Sequence, residues 1–326
     1  MRKYLDRYSV IAHLFLSALI ILVLVPGAKK TQPISAMLAG LVVIEVLYIL
    51  QCRRWHKRGE SFRVPSCIVS IVWAVLIIWE ILVTKLNCMH PVLYPAPENV
   101  FYVYRTQYAT ILLNILSSME LLAVSIFIGV VLGVVLGVTV GWIPVLSDVF
   151  YPIANVLAPI PSVVYAPYII AIMPSFRSAS AMVIVIGIFF PMFLDMVNRV
   201  KAIDPQIIDS ALMLNVSNRT MITGILLPYV VPGVIMGMKV TLTTSFMLLI
   251  FAEMMGATKG LGYYIVNYNS YGNYTNVIAC IIVVGLLVTV LNRLVDLLQE
   301  KGVTYHKDPP DSTGTIIYTL LTVILP

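Results

Sequence analysis

Charged residues are scarce in this 326-residue sequence. Asp, Glu, Lys and Arg make up 11% of the chain, whereas hydrophobic residues make up 60%. A soluble domain usually carries about 25% charged residues, so the composition excludes an ordinary soluble protein. The mean hydropathy of +0.95 agrees with this. Several apolar stretches reach the roughly 20 residues that a helix needs to cross a bilayer. The composition therefore predicts an all-α, polytopic membrane helix bundle.

Cysteine and histidine are also few, and their positions exclude several kinds of site. No CxxC pair, ligand-like cluster or Ser–His spacing occurs, so no disulfide, metal site or membrane-embedded enzyme is predicted. The phosphate-binding pattern GxxxxGK[ST] is missing as well. We therefore expect no cofactor and no catalytic residue in this chain. The residues concerned are Cys52, Cys67, Cys88, Cys280, His13, His56, His90 and His306.

The positive charge of the chain indicates its membrane topology. The net charge is +6, and Lys and Arg are enriched in cytoplasmic loops of membrane proteins. No nucleic-acid partner is therefore expected. The basic run 52–58 is predicted to be cytoplasmic, together with the N-terminus and 199–227, whereas 84–118 and 253–274 are predicted to be external. Eight membrane spans are predicted, at 9–26, 33–51, 65–83, 119–141, 150–173, 178–198, 228–252 and 275–297.

Small residues and prolines mark two of these spans. In the fourth, glycines recur every four residues, which lets another helix approach closely. We expect them to serve packing inside the bundle, although a dimer contact stays open. In the fifth, four prolines predict either a broken helix beside a translocation path or a simple kink. The residues are Gly129, Gly133, Gly137 and Gly141, and Pro152, Pro159, Pro161 and Pro167.

Tyrosines are concentrated in the external stretch 253–274. Tyr264, Tyr268 and Tyr271 share one face at helical spacing. An aromatic belt at the membrane interface is the favoured interpretation, since such belts need only a membrane. A docking surface for an external partner is the alternative.

The cytoplasmic stretch 199–228 is too long to be a simple connector. Asp204 is predicted to cap a short helix that has Pro205 at its first position. Asn215 suits a left-handed bend, and Ser217 can cap a second helix. Apolar residues on one side of this loop predict a docking surface. They are Ile207, Ile208, Ala211 and Leu212.

The same loop resembles the signature of binding-protein-dependent ABC transporter permeases, which reads EAA, three residues, G, nine residues, I, one residue, LP. This chain has Asp209-Ser210-Ala211, then Asn215, Ile225 and Leu227-Pro228. Every spacing fits, and three identities differ: Asp for Glu, Ser for the first Ala, and Asn for Gly. Asn keeps the bend feasible, so the loop is identified as a variant of the signature.

Further motifs resemble the nitrate, sulfonate and taurine branch of these permeases. They occur in the branch's order, and the resemblance covers residues 90–302. The first two spans are extra relative to that branch. The motifs are Tyr94-Pro95-Ala96-Pro97, Pro232-Gly233, Gly237-Met238-Lys239, Ala252-Glu253-Met254, Gly260-Leu261-Gly262-Tyr263 and Asn292-Arg293.

The resemblance implies the permease core of a type I ABC importer, at 65–302. Residues 1–64 would be an N-terminal addition and 303–326 a C-terminal tail. Two permease subunits, expected to be copies of this chain, would form the pathway in the membrane lipid. Two cytoplasmic ATPase subunits would grip the coupling loop at 201–224, and an external solute-binding protein would deliver a nitrate-, sulfonate- or taurine-like anion or a vitamin precursor. The coupling residues would be Pro205, Ile208, Asp209, Ala211, Leu212, Asn215 and Arg219.

Two further sets of residues are predicted from their positions within spans. Lys239 is deep enough to need a partner, and Asp195 is the predicted one. Glu45 and Glu80 also lie in predicted spans; they would suit a secondary transporter or channel without an ATPase, which stays the alternative. The candidates for lining the pathway are Pro161, Ser162, Tyr165, Thr241, Thr244 and Ser245.

Overall fold

The computed structural model describes residues 7–57 and 61–302. The regular secondary structure of these residues is helical throughout. The predicted tail at 303–326 lies outside the described residues, as do parts of 1–64. Thirteen α-helices occur in the described ranges: α1 Arg7–Leu24, α2 Ser35–Lys57, α3 Arg63–Trp79, α4 Pro97–Thr106, α5 Tyr108–Trp142, α6 Pro144–Leu157, α7 Ser162–Ile172, α8 Phe176–Lys201, α9 Pro205–Met213, α10 Asn218–Thr220, α11 Leu227–Met254, α12 Leu261–Ser270 and α13 Tyr274–Gly302.

Seven helices of the described chain are long and apolar enough to cross a membrane. An eighth span results if α6 and α7 are counted together; they are bent by 99° where the chain breaks between them. Each of the eight predicted spans overlaps one of these segments. The predicted fifth span is thus broken and not simply kinked, and Pro159 and Pro161 lie in the break between Leu157 and Ser162. Two π-helical segments, Glu80–Lys85 and Met221–Leu226, follow α3 and precede α11.

The chain divides into two compact units. Unit 1 comprises Met1–Ala123, Ala166–Ala181 and Leu249–Leu286, and unit 2 comprises Val124–Tyr165, Met182–Leu248 and Leu287–Pro326. In unit 1, α1, α2 and α3 share a core around the fully buried Trp73, in which Leu19 and Leu41 are also buried. The predicted division into 1–64 and 65–302 stays a prediction.

The glycines of α5 pack against α8 within unit 2. A Cβ added to Gly133 would lie 2.8 Å from Met192 Cβ, and one added to Gly137 would lie 2.6 Å from Met196 Cβ. Gly129 and Gly141 meet Ile188 and Val200 in the same way. Since two residues four apart lie on one face of a helix, the two stripes run along each other. Packing inside the bundle is thereby confirmed as the role of these glycines.

Candidate functional site

The loop between α8 and α11 has the local structure that its sequence predicts. Asp204 accepts a hydrogen bond from the Gln206 backbone N–H at 2.9 Å, and Pro205 occupies the first turn of α9. Asn215 has φ 52°, in the left-handed region. Ser217 accepts a hydrogen bond from the Thr220 backbone N–H at 3.2 Å and so caps α10. The loop is therefore a helix, a left-handed bend and a second helical start.

The structure corrects which apolar residues of this loop are accessible. Ala211 was predicted to belong to an exposed docking surface, but only 5% of it is exposed. It packs with Met221 and Leu226 in the core of unit 2, and Ile208 packs against the same cluster. The sequence misses this because an apolar face on a nine-residue helix does not show whether it packs on its own protein or on a partner.

Three of the four exposed apolar residues lie at the C-terminal end of α9, and the fourth, Ile207, lies in its first turn. Met213 is 85% exposed and Leu214 is 79% exposed, and Leu212 and Ile207 are exposed to a lesser degree. We call these four residues the apolar tip. Large apolar side chains grouped in this way usually mark a binding surface.

The base of the loop is held by contacts within unit 2. Trp142 Nε1 donates a hydrogen bond to Asn218 Oδ1 at 3.0 Å, and Ile203 belongs to the same buried cluster as Ala211. Asp209 and Arg219 are exposed, and neither forms an ion pair with another residue of the described ranges. The apolar tip therefore extends from a base that is fixed within unit 2. Asp209 and Arg219 provide one negative and one positive charge near it.

A cleft of about 240 Å³ lies between α8 and α11 in unit 2. It brings together two of the predicted pathway residues, Thr241 and Thr244, and adds Asp195. Its other walls are small or apolar, and they are Gly187, Ile188, Pro191, Met192, Gly233, Val234, Gly237 and Val240.

The hydroxyl groups near this cleft differ in their availability. Thr241 donates a hydrogen bond to the Gly237 carbonyl, and Ser245 donates one to the Thr241 carbonyl, so both bond their own helix. Such bonds are the common state of hydroxyls in membrane helices. Thr244 is exposed to the cleft and has no hydrogen-bond partner among the described residues. It is the hydroxyl that a solute could bind.

The predicted pathway residues of α7 lie beside the cleft or away from it. Ser162 is buried, its Oγ atom has no hydrogen-bond partner in the described chain, and it packs against Gly187 of the cleft wall. Pro161 is exposed and Tyr165 is half-buried, and neither lines the cleft.

The predicted ion pair between Lys239 and Asp195 is wrong. Lys239 Nζ lies 2.9 Å from Asp296 Oδ1 of α13. Asp195 instead binds Arg199, four residues further along α8, with 2.8 Å between Oδ2 and Nε. The prediction considered only helices adjacent in sequence, and Asp296 is 57 residues away. The Arg199 guanidinium occupies the place that a side chain at Gly233 would need.

Unit 1 contains a buried polar cluster that was not predicted as a site from the sequence. The Glu253 carboxylate accepts hydrogen bonds from Ser118 Oγ at 2.7 Å and from the Gly262 N–H at 2.9 Å. Asn114 and Ser118 accept hydrogen bonds from the N–H groups of Gly260 and Leu261. Gly260 has φ 123°, and a Cβ there would collide with the Glu253 carboxylate. The spacing between Glu253 and the two glycines, Gly260 and Gly262, could have indicated this cluster. The role of Glu253 is to fix the turn between α11 and α12.

The tyrosines of 253–274 do not all form an interfacial belt. Tyr264 and Tyr268 both donate hydrogen bonds to Gln107 Oε1, at 2.7 and 3.0 Å, and their ring centroids are 4.5 Å apart. Burial raises the pKa of the Tyr264 phenol, so it remains a donor. Only Tyr271 of the three is strongly exposed, at 80%. The belt interpretation is therefore wrong for Tyr264 and Tyr268.

Comparisons with known proteins give one family. Residues 129–301 match the family model described as the binding-protein-dependent transport system inner membrane component. That range contains the loop, the cleft and the glycine stripe.

Three characterised or named relatives show the same similarity. A putative ABC transporter permease of Methanocaldococcus jannaschii is 26% identical over 77% of this chain and 98% of its own length. The taurine transport system permease TauC of Escherichia coli K12 is 23% identical over 79% of this chain and 96% of its own. The nitrate import permease NrtB of Leptolyngbya laminosa is 26% identical over 58% of this chain and 68% of its own.

Similarity in fold extends to a solved structure. It is a chain of the MetNI methionine ABC transporter in an inward-facing conformation, with a TM-score of 0.50 and 20% identity. The similarity covers 60% of this chain and 97% of that one.

Proposed function

Since the chain belongs to the binding-protein-dependent transport system inner membrane component family and is the membrane-spanning permease of an ABC importer, we propose that its apolar tip is the point where a separate ATPase attaches. The single observation that carries this proposal is the contrast within one short helix. Ala211 is buried in unit 2, whereas Met213 and Leu214 are almost fully exposed. A helix with such a base can transmit movement from its tip into the membrane helices.

The proposed importer is assembled around this attachment. Two copies of this chain form the pathway, and each binds one cytoplasmic ATPase subunit through its tip. Asp209 and Arg219, both free of ion pairs with described residues, set the register at the rim of that contact. An external solute-binding protein delivers the solute. ATP is hydrolysed on the ATPase, because the sequence has no phosphate-binding loop of its own.

Introducing a negative charge at the apolar tip tests the attachment. Burying one large apolar side chain contributes about 1.5–3 kcal/mol, so Met213→Glu or Leu214→Glu should weaken ATPase binding by roughly tenfold or more. The permease should still insert and fold, since neither side chain supports the core. Co-purification of the ATPase and ATP-driven uptake in proteoliposomes are the two measurements.

Two variants complete this experiment. Gln206→Glu adds a negative charge to an exposed position of α9 outside the tip, and it should leave ATPase binding unchanged. Ala211→Glu places a charge in the core and should lower the melting temperature as well. Normal recruitment by the Met213 and Leu214 variants would contradict the proposal, and uptake without any ATPase would favour a secondary transporter.

The solute is a small polar molecule that passes the cleft between α8 and α11. A sulfonate such as taurine, or nitrate, agrees with what two of the relatives are named for; a vitamin precursor is the other candidate. The cleft offers the free Thr244 hydroxyl and the Asp195 carboxylate, whose charge Arg199 balances. The Asp195 carboxylate can bind the ammonium group of a zwitterion such as taurine, which a simple anion lacks.

A pair of threonine substitutions tests the cleft. Thr244→Val keeps the shape of the side chain but removes the hydroxyl, and it should lower uptake. Thr243→Val is the matched control, because Thr243 donates its hydrogen bond to the Lys239 carbonyl and does not line the cleft. A thermal-shift screen of the solute-binding protein against taurine, alkanesulfonates, nitrate and vitamin precursors identifies the solute to use. Equal uptake by both variants would remove Thr244 from the pathway.

A further inference from the structure

A wide apolar groove runs along the N-terminal helices of unit 1. Its volume is about 1200 Å³, and its walls come from α2, α3 and α4, with two residues of α13. We call it the N-terminal groove. It shares no residue with the apolar tip or the cleft, so it does not depend on the function proposed above.

The polar groups of the aromatic side chains in the groove wall are already bonded inside the protein. The Tyr48 hydroxyl lies 2.9 Å from Ser66 Oγ. Trp79 Nε1 donates to the Pro95 carbonyl at 3.0 Å, and the Tyr104 hydroxyl donates to the Ala279 carbonyl at 2.9 Å. The middle of the groove therefore offers no free hydrogen-bonding group, and an apolar occupant fits it.

The two ends of the groove differ in charge. At one end, Arg105 is exposed, and its Nη1 atom lies 3.3 Å from Ser35 Oγ at the start of α2. At the other end, Gln51 is neutral. From Ser35 to Gln51 the helical rise gives about 24 Å, which is most of the roughly 30 Å hydrocarbon core of a bilayer. Arg53 and Arg54 follow Gln51 but do not line the groove. The occupant should thus be a long apolar molecule whose negative charge lies at Arg105.

We propose that the N-terminal groove binds an anionic phospholipid, with its phosphate at Arg105 and its acyl chains against α2 and α3. Arg105 pairs with the phosphate through charge-assisted hydrogen bonds, which are stronger than those between neutral groups. A partner helix would fill the apolar wall but would offer Arg105 no anion. By the predicted topology, the lipid comes from the external leaflet.

Native mass spectrometry of the purified full-length chain tests this proposal. The probes are phosphatidylglycerol and phosphatidylcholine with the same acyl chains. One bound phosphatidylglycerol is expected, retained in preference to phosphatidylcholine by about fivefold, the effect of one cation on an anionic lipid. Arg105→Gln should remove this preference while leaving some binding of both lipids.

A bulky side chain inside the groove provides the second arm. Ala39 lines the groove from an exposed position of α2, so Ala39→Phe should reduce retention of both lipids without loss of folding. Val42→Phe is the matched control, since Val42 is 61% exposed on α2 and does not line the groove.

Three outcomes would overturn the proposal. The first is equal retention of the two lipids by the unmodified chain. The second is equal lipid binding by the Ala39 and Val42 variants. The third is a need to remove residues 312–326 before phosphatidylglycerol binds, which would make that apolar segment the occupant.

Discussion

Asn215 shows how one residue type can be required by backbone geometry. Its φ of 52° is one of two positive values among the non-glycine residues described, the other being 48° at Asn87. The bend at Asn215 lets the Val216 N–H reach the Ala211 carbonyl at 3.4 Å. A left-handed conformation costs most residues about 1–2 kcal/mol, and Asn tolerates it better than they do. The departure from the family's glycine therefore preserves the bend.

Substitutions at Asn215 should separate conformation from side-chain chemistry. Asn215→Val should lower the stability of the loop by about 1–2 kcal/mol and weaken ATPase binding. Asn215→Gly should keep both close to normal, because glycine accepts this φ freely. Hydrogen exchange of residues 205–220 and ATPase co-purification are the measurements. Equal behaviour of the two variants would contradict the conformational explanation.

Glu98 is a buried carboxyl group at the start of α4. Burial raises its pKa, and the nearby Glu80 carboxylate raises it further, while Thr84 and Lys85 act in the opposite direction. Thr84 Oγ1 lies 3.1 Å from Glu80 Oε2 and 3.3 Å from Glu98 Oε2. Two carboxylates so close together favour the protonated form of one of them.

The raised pKa predicts how stability depends on pH. Protonated Glu98 contributes its full stability below the ordinary carboxyl value of about 4.3, and this contribution is lost as the pH rises through the raised pKa. Glu98→Gln should therefore unfold at a higher temperature than the unmodified chain above that pKa, and should show a flatter pH profile. Asp148→Asn is the control, since Asp148 is exposed and forms no ion pair with another described residue. Parallel pH profiles for all three proteins would contradict the prediction.

The contact between α5 and α8 depends on small residues. Four glycines on one helix face four larger side chains on the other at the same spacing. Lipid provides no hydrophobic drive for helix association, so close backbone packing must supply the stability. This contact supports α8, which carries Asp195 of the cleft.

Filling the stripe should separate these helices. Gly137→Leu has no room, because even a Cβ would lie 2.6 Å from Met196 Cβ. We expect a loss of at least 1–3 kcal/mol, the usual cost of overpacking. Val135→Leu adds bulk to a half-exposed position of the same helix and should be tolerated. Melting temperatures in detergent compare the two, and similar values would contradict the packing role.

The elements that the sequence could predict are those governed by local rules. Apolar runs located the eight spans, and the caps at Asp204 and Ser217 follow from neighbouring residues. Ala211 and Lys239 were misjudged because their partners, Met221 and Leu226 in one case and Asp296 in the other, come from separate elements. Such contacts depend on which helices are neighbours in the fold. The pattern of apolar residues along a single sequence does not specify that arrangement.

At the scale of the whole molecule, the bent pair α6 and α7 decides the topology. Between residues 61 and 214 the chain passes through α3, α5, the bent pair and α8. Both positions lie on the same side of the membrane only if the bent pair crosses it. The proposed coupling loop, together with the basic run 52–58, requires this crossing.

Labelling of single cysteines tests the crossing. In a chain whose four native cysteines are replaced, Ser61→Cys and Leu214→Cys should be protected from an impermeant thiol reagent in intact cells. Val92→Cys, at an exposed position between α3 and α5, should react. All three should react after cells that lack the ATPase are opened. Reaction of Leu214→Cys in intact cells would mean that the pair turns back, and the proposed coupling loop would then face outward.

The π-helical segment Met221–Leu226 amounts to one surplus residue in the path from α10 to α11. A π turn has i→i+5 hydrogen bonds where an α-helix has i→i+4 bonds, so the chain can shorten there by one residue without turning the helix beyond it. Deleting Thr223 should therefore leave α11 in register, and the protein should keep nearly its full melting temperature. A deletion of Val240 cannot be absorbed in this way, because the helix around it has regular α turns. It would rotate residues 241–254 by about 100° and point Ser245 and Leu249 away from their buried positions. A single-residue deletion in this chain should accordingly be tolerated at 221–226 and not within α11.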